Sequence, residues 1–239
     1  MSDRVERRAA LQAERAVALS AQLDDLLTLT GDERALDVGA GAGALAFALA
    51  TRVREVVAVE IDEELAERAR ETAPPNVDVI VGDGEHLTLD AFSFDVAGTL
   101  RTLHHTRRPE LLVAELVRVT RPGGTILVVD QLAPTDPLAA LDLTRFEQAR
   151  DPTTSRLLSD ADLRGLFDSN NLVLRREVVT HEPRDLDVYL DLAGCQGDER
   201  ERVARLAPSG YEAVTGWFVL TRPEFCLRRT CTIGPWGST

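Results

Sequence analysis

The 239-residue sequence contains no lysine; its 27 basic residues are all arginine. That excludes a lysine Schiff base and a lysine phosphate clamp. Cysteine is scarce. Cys195, Cys226 and Cys231 form no C-x-x-C pair, which removes zinc-ligand spacing and fits a reducing compartment. Aromatic residues are 5% of the chain, and Phe47, Phe146, Phe167, Tyr189, Tyr211, Trp217 and Phe218 are too scattered to suggest an aromatic cage. No apolar run approaches the roughly 18 residues of a membrane span. The charged N-terminus, MSDRVERRAALQAERAVAL, has no apolar secretory core. The chain is therefore expected to be cytoplasmic, with no membrane span. Its net charge of -13 disfavours nucleic acid and anionic surfaces as partners, because phosphate binding needs clustered cations. Small substrates remain open.

What is present is an alternation of short apolar runs with amphipathic ones. Leu11, Val17, Leu19, Leu23, Leu26 and Leu27 recur at near-helical spacing over 4–29. Strands are expected at 34–38, 55–60, 77–81, 94–98 and 125–130. Helices fall between them at about 42–51, 62–71 and 109–119. Pro122-Gly123-Gly124 is expected as a sharp turn. This rhythm implies an α/β fold with a parallel sheet covered on both faces. The rhythm then breaks at 131–158, which holds prolines and a helix over 137–149. Ser159 with Asp162 has the form of a capping box for a helix to about 168. Two later strands, 172–180 and 216–221, bracket helical material over 185–206. Length permits one large domain over 1–222. The aperiodic stretch 223–239 is expected to be a tail, poorly ordered or foreign to the native chain.

The glycine-rich run Leu36-Asp37-Val38-Gly39-Ala40-Gly41-Ala42-Gly43 lies between the first strand and the first helix. Such a turn lets backbone approach a ligand and presents free N–H groups. Two cofactor classes use it. Gly39, Gly41 and Ala44 satisfy a relaxed dinucleotide fingerprint, and Glu60 is placed to accept from the ribose hydroxyls of either cofactor. Asp37 discriminates between them. A carboxylate there would repel a pyrophosphate and favour the ammonium and sulfonium of S-adenosylmethionine. Its plainer reading is a capping or turn aspartate. Asp83, ending the third strand, could accept from an adenine amine, or could simply close a Gly-Asp-Gly turn.

The runs LDVGAGAG, VVAVEID, VGDGEHL, FDVAGTLRTLHHTRRP and RVTRPGGTILVVD, in this order, resemble class I methyltransferases. The similarity is greatest to the small-molecule enzymes related to ubiquinone and menaquinone biosynthesis methyltransferases, and covers roughly 30–180. The resemblance implies a Rossmann-like three-layer sandwich. Its seven-stranded, mostly parallel sheet would have order 3-2-1-4-5-7-6, with the last strand, 216–221, antiparallel. It implies S-adenosylmethionine as cofactor, with Asp37, Gly39, Ala40, Gly41 and Gly43 along its methionine side. Glu60 and Ile61 would take the ribose and adenine edge, Asp83 and Gly84 the adenine. Thr99, Leu100 and Arg101 would flank the transferring methyl. Leu100-Arg101 departs from the usual residues at its place.

The expected function is methyl transfer to a small-molecule acceptor, to oxygen or carbon rather than nitrogen by family analogy alone. His104 and His105 follow the fourth strand and are candidate general bases; a structural role, bonded to backbone, is their alternative. Segments 1–30 and 131–158 are expected to act as a helical lid and a substrate cap. Arg145, Arg150 and Arg156 would bind an acidic acceptor, or else be solvated surface. No metal site is expected. The chain could be a monomer or a homodimer. Two other functions share these features: an NAD(P)-dependent oxidoreductase, which Asp37 opposes, and a non-catalytic S-adenosylmethionine-binding module.

Overall fold

The computed structural model describes residues 6 and 18–224. Most of the expected 1–30 lid, most of the 223–239 tail, and Cys226 and Cys231 lie outside the described residues. Eight strands are described: β1 (Arg34–Val38), β2 (Glu55–Glu60), β3 (Val77–Val81), β4 (Phe94–Leu100), β5 (Thr120–Ala133), β6 (Leu158–Ser159), β7 (Val173–Pro183) and β8 (Glu212–Thr221). The helices are α1 (18–26), α2 (Ala44–Ala50), α3 (Glu63–Thr72), α4 (Pro109–Val119), α5 (Pro137–Arg150), α6 (Asp160–Ser169), α7 (Leu186–Ala193) and α8 (Gly197–Ala204). The main sheet runs β3-β2-β1-β4-β5-β8-β7. β1 through β5 pair in parallel, and β8 is antiparallel to both neighbours. This is the expected order, with one addition: the two-residue β6 pairs with the end of β5.

Side-chain alternation builds the layers. Ala35, Ala58, Val96, Leu127 and Val219 face Leu23, Leu45, Leu49 and Ala66, from α1, α2 and α3. Their neighbours Leu36, Val57, Ala97, Ile126 and Leu220 face Leu112, Leu116, Leu163 and Phe167, from α4 and α6. The described part of the expected lid is thus core. Leu19, Leu23, Leu26 and Leu27 are buried. Arg52, just after α2, clamps α1 by donating to Asp24 and to the Ser20 carbonyl.

Three boundaries differ from expectation. Gly43, at φ +98, delays α2 to Ala44. β5 begins before Pro122-Gly123-Gly124 and continues to Ala133, so the first residues of the expected cap extend the sheet. The helical stretch 185–206 is two helices, broken at Gly194 with φ +78.

A third, smaller core is formed by α5, from the expected cap, with α7, α8 and the start of β8. At its centre Glu147 is buried. It accepts from Arg150 Nε at 2.8 Å, Gln131 Nε2 at 3.2 Å, Tyr189 OH at 3.1 Å, and Tyr211 OH. Burial raises the Glu147 pKa, but Arg150 and these donors outweigh it and hold the carboxyl below its ordinary range. Glu147→Ala strands a buried guanidinium and should cost about 3–5 kcal/mol. Urea denaturation measures this, and a loss under about 1 kcal/mol would contradict the role assigned to Glu147.

Candidate active site

The site is built where β1, β2 and β4 end. Gly39, Gly41 and Gly43 have φ of +76, +58 and +98, which side-chain-bearing residues rarely adopt. Gly39 is also constrained sterically: a Cβ there would lie 2.2 Å from Thr102 Cγ2 and 2.4 Å from its Oγ1. The Gly39 and Ala40 amides donate to Val59 O on β2 at 2.8 and 3.0 Å. The turn is therefore pinned between β2 and the segment after β4.

Two buried carboxylates lie under it. Asp37 Oδ2 accepts from Ala46 N at 2.9 Å, while buried Oδ1 has no hydrogen-bond partner among the described residues. Burial raises the Asp37 pKa from 3.8 to about 7; the Ala46 N–H opposes that shift and the charge of Glu60 adds to it. Glu60 Oε2 accepts from Gly41 N at 2.7 Å and Oε1 from Asp62 N at 2.9 Å. Ile61 beside it is 68% exposed, an apolar face left open at the end of β2. An adenosine-bearing cation fits this donor set: an orphaned acceptor, a cradle with no room for a Cβ, and an apolar platform.

The methyltransferase domain family matches residues 36–128, which contain every one of these groups. YcgJ, an uncharacterized methyltransferase of Bacillus subtilis, is 29% identical over 82% of this chain and 76% of its own length. The solved YcgJ structure shares the fold, with TM-score 0.77 at 22% identity over 87% of this chain and 99% of that one. The demethylmenaquinone methyltransferase of Clavibacter sepedonicus is 32% identical over 53% of each chain. A protein of Pyrobaculum aerophilum named as ribosomal RNA small subunit methyltransferase A is 60% identical over 37% of this chain and 44% of its own. The chain thus spans about half the length of these last two relatives. Residues 36–128 thus form a methyltransferase domain.

The methyltransferase places its other expected site residues unevenly. Asp83 lies beyond β3, its side chain 48% exposed. It accepts from Glu85 N at 2.8 Å, as a turn aspartate does, and faces His86 Nδ1 at 3.4 Å. Gly84 lacks a Cβ because Val38 Cγ1 would stand 2.6 Å from it; this packing against the core was expected instead to be room for a base. Thr99 is buried, and its hydroxyl donates to Val38 O at 2.8 Å, so it ties β4 to β1. Leu100 packs against the core under α2.

His104 and His105 form a 3-10 turn with ring centroids 4.1 Å apart. Buried His104 is bonded through Nδ1 to the Asp130 carboxylate, and its amide donates to Asp130 Oδ2 at 3.2 Å. Burial raises the Asp130 pKa, but His104 outweighs it and keeps the carboxyl below its ordinary range. His105 Nδ1 is 3.0 Å from Thr153 Oγ1, which donates to Asp151 Oδ1 at 2.6 Å.

The three cap arginines do not converge. Arg145 is surface, 3.5 Å from Asp142, and borders a groove along 205–212. Arg150 is taken up by Glu147 and lies 4.2 Å from the Tyr189 ring centroid. Arg156 is exposed, and its backbone amide contacts His104 O at 3.3 Å. Sequence reading missed Thr102, Asp130, Thr153 and Arg184. Asp130 ends the TILVVD run, and an acid closing a buried strand was the available signal.

Gly39→Ala combines a positive φ with a clash against Thr102. It should cost at least about 1–2 kcal/mol of stability and abolish cofactor binding. Thermal melting and calorimetric titration with S-adenosylhomocysteine test this; wild-type affinity would overturn the cradle.

Proposed function

We propose that the chain binds S-adenosylmethionine over the Gly39–Gly43 turn and transfers its methyl group to a small-molecule acceptor, at oxygen or carbon. The buried, half-unpartnered carboxylate of Asp37 carries this reading. A pyrophosphate at the same turn would meet Asp37 and Glu60, which disfavours a nucleotide oxidoreductase. Relatives named for demethylmenaquinone and ubiquinone O-methylation support carbon or oxygen transfer. The relative named for ribosomal RNA raises a nucleic-acid acceptor, which a net charge of -13 opposes.

The cofactor supplies an electrophilic methyl on a sulfonium, and displacement neutralises charge, so alignment and exclusion of water carry much of the rate. Asp37 and Glu60 set a negative potential beneath the cation. Ile61 offers a surface for the adenine. His105 is the candidate base. Thr153 has one hydroxyl proton, and the Asp151 carboxylate is its stronger acceptor. His105 Nδ1–H then donates to Thr153, which places the lone pair on Nε2. His104, buried against Asp130, holds this turn in place.

Because the folded Asp37 pKa is raised, its ionisation costs stability as pH rises from about 4 to about 7, and the cost is constant above that. Asp37→Asn should therefore melt several degrees higher than wild type at pH 8 and equally at pH 4. Affinity for S-adenosylmethionine should tighten roughly tenfold between pH 6 and 7.5 in wild type and stay flat in the variant. Pyrophosphate or NADH binding at Asp37→Asn-sensitive strength would sink the reading.

Once an acceptor is in hand, His105→Ala should lower kcat about 100-fold or more while leaving the donor KM unchanged. Full retention of kcat would retire His105 as base. Methyl incorporation from labelled donor into a metabolite extract, compared with incorporation into RNA, separates the two acceptor classes.

A further inference from the structure

Beyond β4, the carboxyl edge of the sheet holds two largely buried cations, one of them with hydrogen-bond donors that no described residue meets. Arg101 leaves β4 at φ +55, its amide donating to Val129 O at 2.7 Å. Its guanidinium donates to Thr215 Oγ1 on β8 at 3.1 Å, with the side chain 25% exposed. Arg184 follows β7, its side chain 11% exposed and 5.3 Å from the Tyr189 ring centroid. Glu182 Oε2 stands 2.9 Å from Arg184 and 4.0 Å from Arg101, but Glu182 is 50% exposed. That approach lies outside hydrogen-bonding geometry: Nε and one terminal nitrogen of Arg184 are buried with no hydrogen-bond partner among the described residues.

Unmet guanidinium donors in a protein interior are costly and call for an acceptor. Asp130, the other carboxylate acting on Arg101, is committed to His104. Among the described residues, Glu182 is the carboxylate within 4.0 Å of both guanidinium groups, and it is half exposed. The next residue, Thr102, donates to Gly39 O at 3.2 Å, so the backbone that carries Arg101 runs beside the glycine turn.

We propose that Arg101 and Arg184 form a carboxylate-binding subsite for the methyl acceptor. The planar guanidinium fork matches a carboxylate. Glu182 beside both guanidinium groups disfavours a dianionic phosphate more than a monoanion. The proposal rests on the methyl-transfer reading of the adjacent site. It replaces Arg145, Arg150 and Arg156 as the source of acidic-substrate recognition.

The test uses the full chain saturated with S-adenosylhomocysteine and titrated with matched pairs: benzoate against benzamide, octanoate against octanamide, and phenylphosphonate as the dianion. At least one carboxylate should bind tenfold or more tightly than its amide. Arg184→Gln should erase that preference, Arg184→Lys should keep part of it, and both should bind S-adenosylhomocysteine as wild type does. Arg101→Gln provides a second variant with the same expected loss. Equal binding of acids and amides, no binding of any acid, preference for the phosphonate, or an Arg184→Gln variant that retains the preference would each overturn the subsite. Failure of S-adenosylhomocysteine itself to bind would instead overturn the methyl-transfer reading.

Discussion

The close approach of Gly39 to Thr102 is the constraint on which the site depends. Without a Cβ at 39, the segment after β4 lies against the turn after β1, and the Thr102 hydroxyl reaches Gly39 O. Thr99 repeats the link one turn earlier, its buried hydroxyl on Val38 O. These two contacts fix the spacing of the β1 and β4 ends. They set the cofactor cradle beside the chain that carries Arg101, His104 and His105.

Electrostatics divides that edge in two. Beneath the glycine turn are Asp37 and Glu60, a negative floor held by backbone amides. Beyond β4 are Arg101 and Arg184, a positive wall. A buried charge without a full set of partners destabilises the folded chain. The fold carries such charges on both sides, and local stability is commonly surrendered in this way at functional sites. The Glu147 cluster differs: five donors and acceptors satisfy one another, and it serves as the centre of the cap.

Much of the sheet was legible because buried parallel strands read as apolar runs such as EVVAVE and TILVVD, and each covering helix repeats apolar residues on one face. The misreadings have local causes. Pro122-Gly123-Gly124 reads as a turn and does bulge out of β5: pairing with β4 skips from Thr120 to Thr125 and pairing with β8 begins at Thr125. The short β6 has two residues, too few to carry a pattern. In the site, Asp37 and Glu60 stood out because Asp37 is the penultimate residue of β1, two before the first glycine, and Glu60 ends β2. The packing at Gly84 had no local signal, since the Val38 methyl that fills its space is 46 positions away.

Sequence alone determined the strand-helix alternation and the glycine turn, because these depend on local periodicity and on residues near one another in the chain. Only the tertiary structure decided which charges meet. Arg150 is taken up by Glu147 three residues earlier, a spacing that the helix turns into an ion pair. Arg184 was brought to Arg101 across 83 residues by the antiparallel return of β8 between β5 and β7, and its unmet donors exist only once that packing has excluded water.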